Sequence, residues 1–307
     1  MSLLYYINYA MFSAFITVLT IELGIALYGI ASYKKHSEQI RKYLLPMWEV
    51  VGTFGLLYVV NFIITYPTLV PTLGIFVLPA LIIGALFLIR GAFLIYNEYA
   101  GGGVNEASFQ QIYSASVIVI YLLIFSILTS ATSGIGINLT ATGISLLNVV
   151  FNPFNFAIFL AMALIGLFMA SNIFEDKKVG VASMTLVVAA YIIILSALAS
   201  YTSVIFVNIL RGIFPLVISL LIFAGTVLAI IGRSRYAKAL MVAWLFFSIN
   251  LFGVSEYPYL VIGHNISILI SGGVLAQASV LVTTVGGILV MAAVVLFLYF
   301  NYLRRRY

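Results

Sequence analysis

The stretch Leu275–Tyr302, LAQASVLVTTVGGILVMAAVVLFLYFNY, contains no Asp, Glu, Lys or Arg. It is longer than the about 20 apolar residues that a helix needs to cross the hydrocarbon of a bilayer. At least eight long apolar stretches run along the chain, each followed by a short polar break. Of the 307 residues, 64% are hydrophobic and 7% charged, and the mean hydropathy is +1.22. A water-soluble fold needs a polar face on nearly every helix, and this composition cannot supply one. The sequence therefore reads as an all-α, polytopic membrane protein, a single membrane domain over residues 1–307. Its rare charges are where function is to be sought.

Nine spans are expected: Leu4–Ser32, Leu44–Tyr66, Thr72–Asn97, Phe109–Ser133, Phe151–Ile173, Val179–Tyr201, Val204–Gly232, Ala237–Val261 and Leu275–Leu303. Basic residues orient them. Lys34, Lys35, Arg41 and Lys42 follow the first span, Lys177 and Lys178 the fifth, Arg233, Arg235 and Lys238 the seventh, and Arg304, Arg305 and Arg306 end the chain. With nine spans all four groups fall on one side. The positive-inside rule makes that side cytoplasmic, with the N-terminus outside and the C-terminus in the cytoplasm. The Lys-Lys breaks after the first and fifth spans suggest two four-helix units plus a ninth helix. The first segment has no basic start and no small-residue cleavage site, and reads as a retained helix. The expected location is the cell (plasma) membrane. The sequons at Asn138 and Asn265 fall in expected outer loops, where chance occurrence is the simpler reading than glycosylation.

Several chemistries are excluded. With no cysteine the chain has no disulfide, thiolate metal site, iron–sulfur cluster or covalent haem attachment. Absence of Cys with abundant Ile and Tyr fits a heat-adapted source. The net charge of +6 sits at span ends, where it sets topology, so no nucleic-acid partner is implied. The two histidines, His36 and His264, lie in expected loops, so neither offers an axial ligand to a haem inside the bilayer. Gly101-Gly102-Gly103 lacks a following Lys-Ser/Thr and is a connector, not a phosphate loop. Gly84, Gly91, Gly286 and Gly287 suit close helix packing. The aromatic content suits interfacial belts and contact with lipid or a quinone tail.

Six ionisable residues lie in or near the spans: Glu22, Glu49, Arg90, Glu98, Arg211 and Glu256. A charge in hydrocarbon costs about 2.5–3.5 kcal/mol or more, so each should face protein or water. Arg211 and Glu256 are near the outer interface, within snorkelling reach. Counted from the expected inner span ends, Glu49 lies about 9 Å deep and Glu22 about 15 Å deep. Two carboxylates at increasing depth on neighbouring helices are what a proton-entry path requires, since each can hold or release a proton. The alternative for Glu49 is a structural ion pair with Arg90, about 12 Å inside its own span. No cation is expected at the depth of Glu22, which reads as part of the relay or as lining a polar cavity.

The segment Pro46-Met47-Trp48-Glu49, with Gly52, Leu56 and Tyr66-Pro67, resembles the second helix of subunit II of cytochrome bd-type quinol oxidases. That helix opens on Pro-His-Trp-Asp and closes on an aromatic-Pro pair. Phe87-Leu88-Ile89-Arg90 stands where the family has an Arg followed by a short aromatic stretch. Leu147…Asn152-Pro153-Phe154 is similar to the family's Leu-Leu-Asn-Pro-Phe, and Tyr257-Pro258-Tyr259 has a counterpart, as does a final helix ending in basic residues. The chain looks like a divergent, archaeal-type member, with short motifs spread over most of its length. Met47 replaces the family's His, and the polar Gly-Asn-Gln stretch after the acid is absent.

The resemblance implies a nine-helix, N-out subunit with no catalytic residue and no haem of its own, scaffolding a haem-bearing polytopic subunit I and in contact with quinone and membrane lipid. It places Glu49 at the acid implicated in proton delivery and Glu22 near an acidic motif of the first helix. Trp48 and Arg90 then read as structural. Other classes compatible with the composition are a quinone-interacting membrane subunit of another respiratory complex and a small-solute transporter. The transporter is disfavoured because no pair of spans has a polar, broken centre.

Overall fold

A computed structural model of the chain describes residues 3–67, 74, 76–99, 106–135, 146–174, 177–232, 236–256, 278, 281–287, 289 and 292. Among them there is no strand. The helices are α1 (Leu3–Thr65), α2 (Val77–Tyr99), α3 (Glu106–Ser133), α4 (Leu146–Val150), α5 (Pro153–Phe174), α6 (Lys177–Ala182), α7 (Met184–Tyr201), α8 (Ser203–Arg211), α9 (Ile213–Ile231) and α10 (Ala237–Glu256). Six stretches are long and apolar enough to cross a membrane: Tyr6–Ser32 and Lys35–Thr65 within α1, Val77–Tyr96, Gln110–Ala131, Pro153–Phe174, and Val179–Tyr201 across α6 and α7. Large apolar side chains stand open on the outer faces, Leu88 at 77% and Leu56 at 68% exposure. Water would not tolerate such faces, but hydrocarbon does. The chain is a multi-pass membrane protein.

Two expectations about the spans are corrected. The polar stretch between the first and second spans is helical, so the helix that carries the second span begins at Lys35 and not at Leu44. The chain bends there through Ser32 and His36, whose backbones leave helical geometry. Glu38, Gln39, Arg41 and Lys42 are good helix formers with no Gly or Pro among them. Their polarity marks the exit from the hydrocarbon, not the end of a helix. The seventh span is not one straight helix: α8 and α9 meet at a 77° bend. Gly212 caps α8 there, and Pro215 has no N–H to offer the carbonyl four residues back. The other described helices fall close to the expected spans. Among them is the break between α7 and α8 at Thr202, while α4 occupies part of an expected loop.

The first arm of α1 (Tyr6–Ser32) is the central helix, with 67% of its apolar window buried against 11% for the second arm (Lys35–Thr65). It packs against α5, α3 and α10, while α5 packs against α7 and α3, α2 against α3, and α9 against α10. Consecutive helices thus form two groups, one from α1 to α3 and one from α5 to α10, joined through α1 and α5. The closest approach is at Gly24 and Gly166. A Cβ on Gly24 would overlap the Gly166 carbonyl, and one on Gly166 would lie 2.6 Å from the Thr20 carbonyl oxygen. Only glycine allows two backbones to approach this closely. Further along, Phe174 stacks on Tyr28 at 5.3 Å and meets Tyr43 edge-on at 5.4 Å. The α1 bend and the end of α5 therefore lie at the same end of the bundle, and the first arm and α5 run parallel.

Buried hydroxyls and amides are mostly satisfied within their own helices. Thr17, Thr20, Thr53 and Thr65 each donate to the carbonyl four residues back. This lets a polar residue sit inside a bilayer without a partner helix. Asn155 is an exception: it donates to Ser130 Oγ (2.6 Å) and to the Val149 carbonyl (2.7 Å), and accepts from Thr129 (2.6 Å). One amide thereby ties α3, α4 and α5.

Several sequence features fall outside the described residues: Asn138, Asn265, His264, Gly101–Gly103, Tyr257-Pro258-Tyr259, Arg233, Arg235, Arg304–Arg306 and most of the ninth span. So do the side chains of Lys34, Arg41, Lys177, Lys178, Glu98 and Glu256.

Gly166→Leu drives a side chain into the α1 backbone and should cost more than the about 1–3 kcal/mol of ordinary overpacking. Gly84→Ala, which meets nothing within 4 Å, should be neutral or slightly stabilising. Thermal unfolding of the two variants in detergent checks the contrast.

Candidate functional site

The α1–α3 group has a buried ionic cluster at its centre. Glu22 from the first arm of α1 and Arg90 from α2 are both fully buried, with Arg90 Nη1 donating to Glu22 Oε1 at 2.8 Å. Two phenols from α3 complete the carboxylate: Tyr113 donates to Oε1 and Tyr121 to Oε2. Tyr113 and Tyr121 are eight residues apart and share a face with Val117, which is also fully buried. The Phe87 ring lies 4.3 Å from the Arg90 guanidinium carbon and the Tyr113 ring 5.6 Å, so aromatic faces take up part of the positive charge.

Three donors on one carboxylate, two of them phenols and one a guanidinium, match an ionised Glu22. The cluster is then neutral overall, which is the state a bilayer interior tolerates. It holds a charge pair away from water and fixes three helices to one another.

This arrangement corrects two expectations. Arg90 pairs with Glu22 and not with Glu49, so Glu22 does have a cation at its depth. The depth order of the two acids does not hold either. Phe15 packs on Gly55 and stacks on Tyr58 at 5.9 Å, while Phe12 meets Tyr58 at 5.3 Å. Counting back along the antiparallel arms from Phe15 and Gly55 puts Glu49 opposite Ile21, level with Glu22. The Trp48 ring lies against Gly91, which puts Glu49 at the level of Arg90 as well. The error came from the second arm starting earlier than expected.

Glu49 sits on a different face of its helix. The buried stripe of the second arm runs through Ile40, Leu44 and Val51, whereas Glu49 precedes exposed Gly52 by three residues and exposed Leu56 by seven. At 3.6 residues per turn these three share the outward face. The Glu49 side chain is half-buried and makes no hydrogen bond or ion pair to a described residue, while its carbonyl accepts from Thr53 (2.8 Å). A carboxylate thus stands at mid-depth on an otherwise apolar outer stripe.

The remaining charged candidates lie elsewhere. Arg211 is exposed at the α8–α9 bend. His36 sits at the α1 bend, 3.1 Å from Gln39 and in ring contact with Tyr28 and Phe174. Among the described residues no three of His, Asp and Glu converge on a point that would hold a metal.

Sequence reasoning passed over Tyr113 and Tyr121. The signal was available: two tyrosines on one face of an apolar helix need partners for their hydroxyls. It does not say which acid they reach.

No family model and no curated protein matches the sequence. Among solved structures the chain is similar to a chain of the bd oxidase from Geobacillus thermodenitrificans. The TM-score is 0.76 and the identity 20%, over 97% of this chain and 97% of that one. The two share a fold along their whole lengths.

Removing Arg90 alone strands a buried carboxylate and should destabilise by about 3–5 kcal/mol, whereas replacing both partners leaves no charge to strand. Arg90→Met should therefore be rescued in large part by Glu22→Gln. Unfolding of the singles and the double checks the coupling, and additive losses would show that the pair is not coupled.

Proposed function

We propose that this chain is the haem-free subunit II of a bd-like quinol:oxygen oxidoreductase. It scaffolds a haem-bearing polytopic subunit I in the plasma membrane and contacts quinone and lipid at its surface. The observation that carries the reading is the whole-length likeness to a bd oxidase chain, joined to the Pro46-Met47-Trp48-Glu49 and Asn152-Pro153-Phe154 segments. The position of both histidines outside the expected spans favours a chain that leaves haem ligation to its partner.

In this reading the nine-span topology stands, with the N-terminus outside and the C-terminus in the cytoplasm. The meeting of the α1 bend with the end of α5 supports it, because it brings Lys35 and the segment before Lys177 and Lys178 to one end. Glu49, facing outward at mid-depth, is the residue through which a partner helix with a donor or cation would register. It also serves as the proton-accepting group on the route towards the oxygen-reducing site, with Glu22 behind it and Trp48 and Arg90 holding the geometry.

Two experiments check this reading. The chain has no cysteine, so Lys35→Cys, Lys178→Cys, Arg233→Cys and Arg304→Cys can be labelled one at a time in intact cells. All four should resist an impermeant thiol reagent added from outside, and labelling of any two on opposite faces would sink the nine-span topology. Glu49→Gln keeps the shape and removes the titrating group, so oxygen uptake by the purified complex should slow while haem content and subunit ratio stay unchanged. Turnover equal to that of the parent would leave Glu49 a purely structural part.

A further inference from the structure

The short helix α8 lies across one end of the bundle. It meets α9 at 77°, and the 19 residues of α9 alone make a helix about 28 Å long, enough to cross the hydrocarbon. In the sequence Arg211 and Arg233 stand two residues before and two residues after α9, so a cation marks each end of that span. With α9 spanning, α8 runs close to the membrane plane, as interfacial helices do. Its inner face packs Ile205 and Ile209 against Phe154, Ala197, Leu198 and Phe252, near the ends of α5, α7 and α10. Asn208 Nδ2 donates to the Ser255 carbonyl at 3.0 Å and ties α8 to the end of α10. Phe154 begins α5, so this is the end of the bundle opposite the α1 bend.

The opposite face of α8 carries Val207, Leu210 and Arg211, all exposed. Arg211 makes no hydrogen bond or ion pair with a described residue. Apart from the buried Arg90, the other basic residues fall in the four groups that the charge bias assigns to the opposite membrane face. A lone cation therefore stands at headgroup depth, where charge complementarity calls for an anion. Around it the surface is apolar: Val207 and Leu210 on α8, and Val217 and Leu221 on the first turns of α9, are all open. The matching ligand has a phosphate at the level of Arg211 and an acyl chain below it. We infer that the corner between α8 and α9 binds a phospholipid. The fork of the Arg211 guanidinium takes two phosphate oxygens, and a chain lies along Val217 and Leu221. In the nine-span topology this lipid belongs to the outer leaflet. The site rests on the place of α8 and not on the oxidase reading.

The test is native mass spectrometry of the purified complex titrated with dioleoylphosphatidylglycerol. Arg211→Gln should weaken the binding of one such lipid per complex by at least about tenfold. Arg211→Lys, which keeps the charge and loses the fork, should weaken it less. Dioleoylglycerol has the chains without the phosphate and glycerol 3-phosphate has the phosphate without the chains, so neither should distinguish the parent from Arg211→Gln. Equal phosphatidylglycerol binding by parent and Arg211→Gln would overturn the inference, and so would glycerol 3-phosphate binding as tightly as the lipid. A cryo-EM map of the native complex gives a second readout that needs no variant. It should show phosphate density about 3 Å from the Arg211 guanidinium, with a chain running down α9. Arg211 paired with Glu256, covered by a protein helix, or bare where other lipids are visible would contradict the site. If the lipid is bound in a complex that reduces no oxygen, the site holds and the oxidase reading fails.

Discussion

The carboxylate of Glu22 is the point on which the first half of the bundle depends. Buried in an apolar interior, it must be neutralised and hydrogen-bonded, and its donors come from two other helices: Arg90 on α2 and Tyr113 and Tyr121 on α3. In water such a pair is worth little. In hydrocarbon each partner alone would be strongly unfavourable, so one residue fixes three helices in both position and depth. The Gly24–Gly166 contact plays the corresponding part between the two halves. It works by close packing, which is what remains to drive association once the solvent itself is apolar.

The two halves differ in what fills them. The first encloses an ion pair, while the second encloses Trp244, fully buried and ringed by Phe168, Tyr191 and Phe223. Near it the Ser219 and Ser248 hydroxyls meet at 2.7 Å between α9 and α10. Among the described residues the buried charges lie in the first half, whereas the second half is held by aromatic packing and short neutral hydrogen bonds.

Much of this was legible in the sequence. Long uncharged stretches can only be spanning helices, and burial inside the bilayer makes the rough limits of several of them readable from composition. The class and the membrane setting follow from that, and the buried pair of Glu22 and Arg90 was drawn from the few ionisable residues of the spans. Three things were not legible. The helical run from Lys35 to Leu44 was hidden because its polarity imitated a loop, and this error propagated into the depth of Glu49. The partner of Arg90 was hidden because helices at equal depth offer a choice of acids, and only rotation about each axis selects Glu22. The bend at Gly212 was hidden because a single Gly-x-x-Pro in a long apolar run reads equally as a mild kink.

What unites the fold with the proposed activity is a carboxylate that faces out and another, at the same depth, that faces in. The outward one suits a partner, and the inward one, paired with Arg90, holds the scaffold. The most direct measurement is a haem spectrum of the native complex with its subunits identified by mass. The account predicts b- or d-type haem carried by a second polytopic subunit that co-purifies with this chain, and none ligated by this chain. Haem bound to this chain, or an active particle containing this subunit alone, would contradict it.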